Sequence, residues 1–353
     1  MAPRSLLPML ALALGCTGAA EAAESVYAID ARVTRMGRTA AAPGGTLRFG
    51  YPGVTLGVDF NGSRLAVEMA GGAGSLVDVI IDGGAPATVR PGPQRRSIEL
   101  FRGSPGRHRV ELVHRTETWL GVVSVAGFST DGSFRAAAPL PARRMLVLGD
   151  SVTCGADMER GSGDHPGDKN NPEWWNARVS YGMLAARALG SQVQLVCYGG
   201  RGLVRSWNGR SDELQLPAFY DLAIADAAQP VGWRQAGYDP DLVLVAIGTN
   251  DFTAGIPERQ AYVAAYEAFV RTLLKNHAHA RIALTEGAIL DGEKKAVLRD
   301  YLNEVVERSG SPRVRAIPSG HHPGDAVDAH PTTPQHAAMA DELVPQLRRL
   351  MAW

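Results

Sequence analysis

The chain has 353 residues, enough for two domains of ordinary size, and its 45% apolar and 20% charged content is that of a soluble globular protein. Lysine plus arginine equals aspartate plus glutamate at 36 each, so no global basic field exists to hold nucleic acid or an anionic membrane. Past the amino terminus no run approaches the ~18 apolar residues that a membrane span needs, and neutral substrates are the default expectation.

The first stretch, MAPRSLLPMLALALGCTGAAEAAES, has one early arginine, an apolar run and then small residues, which predicts a secretory signal peptide over residues 1–24 with cleavage after Ala20 or Ala22. The protein is therefore expected to be exported, periplasmic or secreted. The alternative is a lipid anchor on Cys16, which sits in a loose lipoprotein box. Export permits disulfides, and only Cys154 and Cys197 would remain to form one; a bridge and two buried free thiols are both open.

Residues 25–136 show short alternating segments: GTLRFGY, GVTLGVDF, SRLAVEM, LVDVIID, RHRVELVH and WLGVVSVAGF. Turn residues separate them at DGG (82–84), RPGP (90–93) and GSPG (103–106). This spacing predicts an all-β sandwich. A Pro/Ala-rich linker at 137–144 follows, and the pattern then changes for residues 145–353. Met145–Leu148, Val193–Val196, Leu242–Ile247, Ile282–Leu284 and Val314–Ile317 are apolar runs suited to buried parallel strands. Between them, Val263, Tyr266, Phe269, Val270, Leu273 and Leu274 recur on one helical face, as do Val297, Leu298, Tyr301, Leu302, Val305 and Val306. Alternating strand and helix predicts a three-layer α/β domain.

Small polar groups stand where the strands end: GDS at 149–151, YGGRG at 198–202, GTND at 248–251, and DAHP at 328–331 before the last helix. Ligands bind at the carboxyl ends of strands in open parallel sheets, so the four blocks are expected to meet in one crevice. Ser151 has the chemistry of a nucleophile, His330 of its base and Asp328 of the acid that orients the base. The backbone N–H groups of Ser151 and Gly200 and the amide of Asn250 are candidate oxyanion donors. Taken singly, Ser151 is equally a helix cap and Asn250 a turn residue; their joint order argues for chemistry. Asp150 reads as a cap or an orienting group, and Gly202 as a turn residue. His321, His322 and His336 read as surface histidines, and HHPGD lacks metal-ligand spacing, so no metal and no cofactor are expected. Trp174, Trp175, Trp207 and Trp233 offer faces for sugar stacking, with Trp175 and Trp207 the candidates for substrate contact.

The ordered Ser, Gly, Asn and His blocks resemble the SGNH (GDSL) hydrolase superfamily, and G-x-S-x-G is absent. Most of that superfamily places aspartate three residues before the histidine; here that position is Val327, and Asp328 lies two before. GDSVTCG, GGRGL, GTNDF and DAHP behind a β-domain, with RMGRT (35–39) and VSVAGFSTDG (123–132), are similar to carbohydrate esterase family 2. The resemblance implies an N-terminal jelly roll, an SGNH domain and removal of O-acetyl groups from carbohydrate through an acetyl-enzyme. It also implies an aromatic residue before the histidine, where this chain has Ala329. The expected partner is an acetylated carbohydrate, with no nucleic acid, membrane span or obligate protein partner. Two other readings stay in view: a lipid or thioester acylhydrolase with the same machinery, and a glycan-binding protein with an idle site.

Overall fold

The computed structural model describes residues 23–168 and 171–353. The expected signal peptide, with Cys16, lies outside the described residues except for its last two positions. Of these, Glu24 already belongs to a strand (Glu24–Tyr27) and receives the Phe134 N–H at 2.6 Å.

The first unit is antiparallel throughout, with strands running from Glu24 to Phe134. Its spine is a pair of long strands, Thr55–Ala70 and Arg96–His114. Two expected strands, GVTLGVDF and SRLAVEM, are thus one. The GSPG stretch at 103–106 is likewise a kink inside a strand, not a turn between strands. Pairing jumps there from Gly62–Gly106 to Arg64–Arg102. A bulge of this kind lets one strand bend from one layer into another, and Pro105, which has no N–H to offer a ladder, is tolerated at it. Alternate residues of the bent pair, including Phe60, Leu65, Val67, Val110 and Leu112, close over the unit's own core. WLGVVSVAGF begins later than its apolar pattern suggests: Thr118–Leu120 is a short 3-10 turn and the strand starts at Val123.

The second unit carries five parallel strands: β1 (Arg143–Gly149), β2 (Ser191–Cys197), β3 (Leu242–Ala246), β4 (Arg281–Thr285) and β5 (Val314–Ala316). Their spatial order is β2-β1-β3-β4-β5. The helices are α1 (Ser151–Cys154), α2 (Tyr181–Ala188), α3 (Leu216–Phe219), α4 (Thr249–Thr253), α5 (Arg259–Asn276), α6 (Gly292–Ser309) and α7 (Thr333–Met351). Leu146 and Leu148 of β1 pack toward α5 and α6, while Met145 and Val147 pack toward α2 and α7. Burial on both faces is why β1, β3 and β4 carry unbroken apolar runs. The order reverses between β1 and β3, so the crevice beyond their carboxyl ends is the place for a ligand.

Buried polar contacts join the units. Arg38, from the RMGRT stretch, donates to the carbonyls of Tyr220 (2.5 Å) and Leu222 (2.8 Å) and to Gln194 Oε1 (3.2 Å). Its guanidinium lies over the Trp233 ring, which removes Trp233 from the candidate sugar platforms. The Tyr51 hydroxyl donates to the Phe219 carbonyl at 2.6 Å. Asp78, fully buried, bridges Arg115 of the first unit (3.1 Å) and Arg178 of the second (2.8 Å). Cys154 and Cys197 are bonded as a disulfide, tying the end of α1 to the end of β2.

Candidate active site

Ser151 is the first residue of α1, two positions past the end of β1. Asp150 caps that helix, its carboxylate accepting the Val152 N–H at 3.0 Å. Gly149 is obligatory in this turn: a Cβ there would stand 2.0 Å from Thr153 Oγ1. The small polar residue just past the apolar strand is therefore the helix start, and its largely buried hydroxyl faces His330.

His330 arrives from the other end of the chain, in the loop before α7. Its Nε2 lies 2.9 Å from Ser151 Oγ, and its Nδ1 lies 2.5 Å from Asp328 Oδ1. The loop is fixed by its own sequence. Asp325 accepts the N–H groups of Val327 (2.9 Å) and Asp328 (3.1 Å), and the Gln335 amide oxygen accepts those of Gly324 (3.1 Å) and Thr332 (2.9 Å). Arg160 donates to the carbonyls of His330 (2.9 Å), Asp328 (3.3 Å) and Asp157.

A second carboxylate escaped the sequence reading. Asp157 Oδ2 is 3.7 Å from His330 Nδ1, and Asp157 is 4% exposed. Its φ of 46° is left-handed, a conformation that costs a non-glycine residue energy and that collects at functional sites. Burial pushes its carboxyl up; the neighbouring His330 ring opposes this. Burial alone would lower the His330 pKa. The bond to Asp328 and the charges of Asp328, Asp157 and Asp150 outweigh it and hold the ring above the ordinary value of 6.5.

Gly200 and Asn250 follow β2 and β3, the two neighbours of β1, so they approach Ser151 from both sides. Asn250 Nδ2 donates to the Arg201 carbonyl at 2.9 Å and lies 3.4 Å from Asp150 Oδ2, which ties the three loops together. Gly200 has φ 72°, open to glycine, and a Cβ there would stand 2.9 Å from the Trp207 ring. Gly202 is a turn residue as expected, and its Cβ would meet the Asp251 carboxylate at 2.3 Å. Asp251 in turn accepts the N–H groups of Leu203 (2.8 Å), Val204 (2.8 Å) and Arg205 (3.1 Å). From the first unit, Glu117 Oε2 accepts the Gly199 N–H at 2.7 Å.

Two expectations need correction. Trp175 is 3% exposed, so its ring face is covered and not open to a sugar; it packs edge-on to Trp119 at 5.5 Å. Trp207 is 57% exposed on the loop that carries Gly200, and Trp119, passed over in the sequence, is 44% exposed. His336 is not a surface residue: it lies fully buried on the face of α7 that meets α2, its Nδ1 accepts the Tyr181 N–H at 3.2 Å, and burial drives its pKa down to about 3. The group of metal-ligand type found among the described residues is Asp157, Asp328 and His330 itself, not the His321–His322 stretch.

An imidazole held between a hydroxyl and a carboxylate can take the hydroxyl proton while its own charge is stabilised. Neutral His330 is required for that step, so activity is lost as pH falls through the histidine pKa. The profile of kcat against pH should show an acid limb centred above 6.5. Asp328→Asn removes the largest charge that holds the ring up and should move the limb to lower pH, with Asp157 still orienting the ring. An unmoved limb would mean that another group sets it.

Residues 35–139 match the family described as carbohydrate esterase 2 N-terminal, and residues 147–342 match the GDSL-like lipase/acylhydrolase family. An acetylxylan esterase / glucomannan deacetylase of Cellvibrio japonicus is 51% identical over 332 residues, 93% of this chain and 92% of that protein. The solved structure of a family two carbohydrate esterase from Cellvibrio japonicus superposes with a TM-score of 0.92 at 50% identity, covering 94% of this chain and 99% of that one. A family two carbohydrate esterase from Clostridium thermocellum, solved in complex with cellohexaose, gives a TM-score of 0.83 at 26% identity over 91% of this chain and 99% of that one. Site geometry, matched families and similarity along nearly the whole length agree: the chain belongs to carbohydrate esterase family 2, with an N-terminal family 2 domain and an SGNH-type hydrolase domain.

Proposed function

We propose that the protein is an exported serine esterase that removes O-acetyl groups from polysaccharide of the xylan or glucomannan type. The observation that carries the proposal is the unbroken chain Asp328–His330–Ser151, with bonds of 2.5 and 2.9 Å, at the carboxyl edge of the parallel sheet. Ser151 Oγ attacks the acetyl carbonyl as His330 Nε2 takes its proton. The developing oxyanion is held by the N–H groups of Ser151 and Gly200 and by the Asn250 amide. His330 returns the proton to the departing sugar oxygen, and water, deprotonated in the same way, frees acetate from Ser151. In this reading the signal peptide ends at Ala22, ahead of the strand that begins at Glu24, the jelly roll runs to residue 136, and the linker ends before Arg143, where β1 and the hydrolase domain begin. The antiparallel first unit with its kinked strand pair supports the jelly roll, and the amino-terminal composition supports export. The direct test is acetate release from acetylated xylan and acetylated glucomannan, with deacetylated polymers as blanks. Release from neither polymer, by protein that cleaves p-nitrophenyl acetate, would redirect the search to other acyl esters.

Ala329 is exposed beside His330. It offers no aromatic face, so sugar binding falls to Trp207 and Trp119. Ala329→Trp should lower KM for a 6-O-acetyl hexoside about fivefold, the worth of about 1 kcal/mol of stacking. With p-nitrophenyl acetate, which has no sugar, kcat should stay level. A flat or higher KM for the sugar ester would show that position 329 does not face the ring.

A further inference from the structure

The first unit reaches the site through the segment that follows its long strand. Glu117 leaves the end of the long strand Arg96–His114 and is 1% exposed. Its Oε2 accepts two N–H groups, Gly199 at 2.7 Å and the Trp119 indole at 3.0 Å. Its Oε1 is buried without a hydrogen-bond partner among the described residues. No arginine or lysine there forms an ion pair with it, unlike Asp78. A Cβ on Gly199 would stand 3.0 Å from both carboxyl oxygens, so the loop backbone lies directly against this group. Burying an acid without a counter-charge is costly, and natural proteins keep such groups mainly where a site uses them.

What the carboxyl touches explains its place. Downstream of Gly200 the loop is held by Asp251, through Leu203, Val204 and Arg205. The Gly200 carbonyl is held by the Trp207 N–H at 3.0 Å. On the amino side, the Gly199 N–H goes to Glu117. We infer that Glu117 is a positioning residue of the hydrolytic reaction: the N-terminal domain uses it to hold Gly199, and so to aim the adjacent Gly200 N–H at the oxyanion. This rests on the reading of Gly200 as an oxyanion donor. Burial pushes the Glu117 carboxyl up to about 8, against the pull of the Gly199 and Trp119 N–H bonds. At neutral pH it is then mostly the uncharged acid, which accepts both donors without setting a negative charge beside the oxyanion. An amide of the same shape should serve equally well.

The experiment compares Glu117→Met and Glu117→Gln in the full chain on p-nitrophenyl acetate, with unfolding temperature recorded and Ser151→Ala as reference. Glu117→Met keeps the length and loses the acceptor; kcat should fall about tenfold with KM within twofold, because a misaimed donor weakens only the transition state. Glu117→Gln keeps the acceptor and should restore kcat to within about threefold. A folded Glu117→Met with normal kcat overturns the inference, as does a loss confined to KM. Should Glu117→Met fail to fold, Glu117→Gln still decides: a tenfold loss there shows that the group does not act as an acceptor. Ser151→Ala separates the two levels, since residual turnover in that variant defeats the serine mechanism itself, whatever Glu117 does.

Discussion

Ser151→Ala is expected to lower kcat on an acetyl ester by roughly 10³-fold or more, with the fold unchanged. His330→Ala should do about the same, and the double variant little worse than either, because nucleophile and base act as one unit. The reason is geometric. At 2.9 Å from His330 Nε2, the Ser151 hydroxyl has an acceptor for the proton it must shed on attack. Without that acceptor the hydroxyl is a poor nucleophile at neutral pH. Alanine at 151 removes one oxygen from a single helical turn held by the Asp150 cap and the Cys154–Cys197 disulfide, neither of which involves Oγ, so unfolding should be almost unaffected. Single-turnover acetate release by each purified variant is the measurement. Losses that multiply in the double variant would mean that the two residues work in separate steps, and the hydrogen-bonded pair would no longer explain the reaction.

Asp78→Ala is expected to destabilise the protein by about 3–5 kcal/mol, the usual cost of removing one partner from a buried ion pair. Asp78 is fully buried between Arg115 at 3.1 Å and Arg178 at 2.8 Å, and also accepts the Thr88 hydroxyl at 2.9 Å. Arg115 would keep Glu159 and the Trp175 carbonyl, whereas Arg178 would lose its carboxylate partner. Because the three charges straddle the junction of the two domains, the transition should also lose cooperativity, the N-terminal domain separating first. Guanidinium unfolding followed by tryptophan fluorescence tests this: Trp174 and Trp175 lie beside Arg115 on the catalytic side of the junction. A cost below about 1 kcal/mol would place Asp78 among the weak surface-type pairs, against its burial.

Much of this protein is determined by short-range pattern. Mainly apolar runs of three to six residues became the five parallel strands within two residues at each end, because burial on both faces leaves few polar positions within them, Gln194 and Arg315 being the exceptions. The three- and four-residue recurrences became α5 and α6, because one face of each packs on the sheet. The blocks GDS, YGGRG, GTND and DAHP were legible because their glycines and caps are demands of the local backbone. Tertiary structure decided the rest. His330 meets Ser151 across 179 residues, and Glu117 meets Gly199 across 82. Asp157, in contrast, lies only six positions past Ser151, yet its approach to His330 depends on a left-handed turn that nothing in GADM announces. The same holds for His336 and Trp175, which look like surface groups on paper and are buried where α7 packs on α2 and where the N-terminal domain meets the catalytic one. Pairing of Cys154 with Cys197 followed only from β1 and β2 being neighbours in the sheet. Periodicity and turn chemistry report what each residue needs from the few beside it in the chain. Which distant segments come to face one another depends on strand order and on how two domains dock, and no local pattern encodes that.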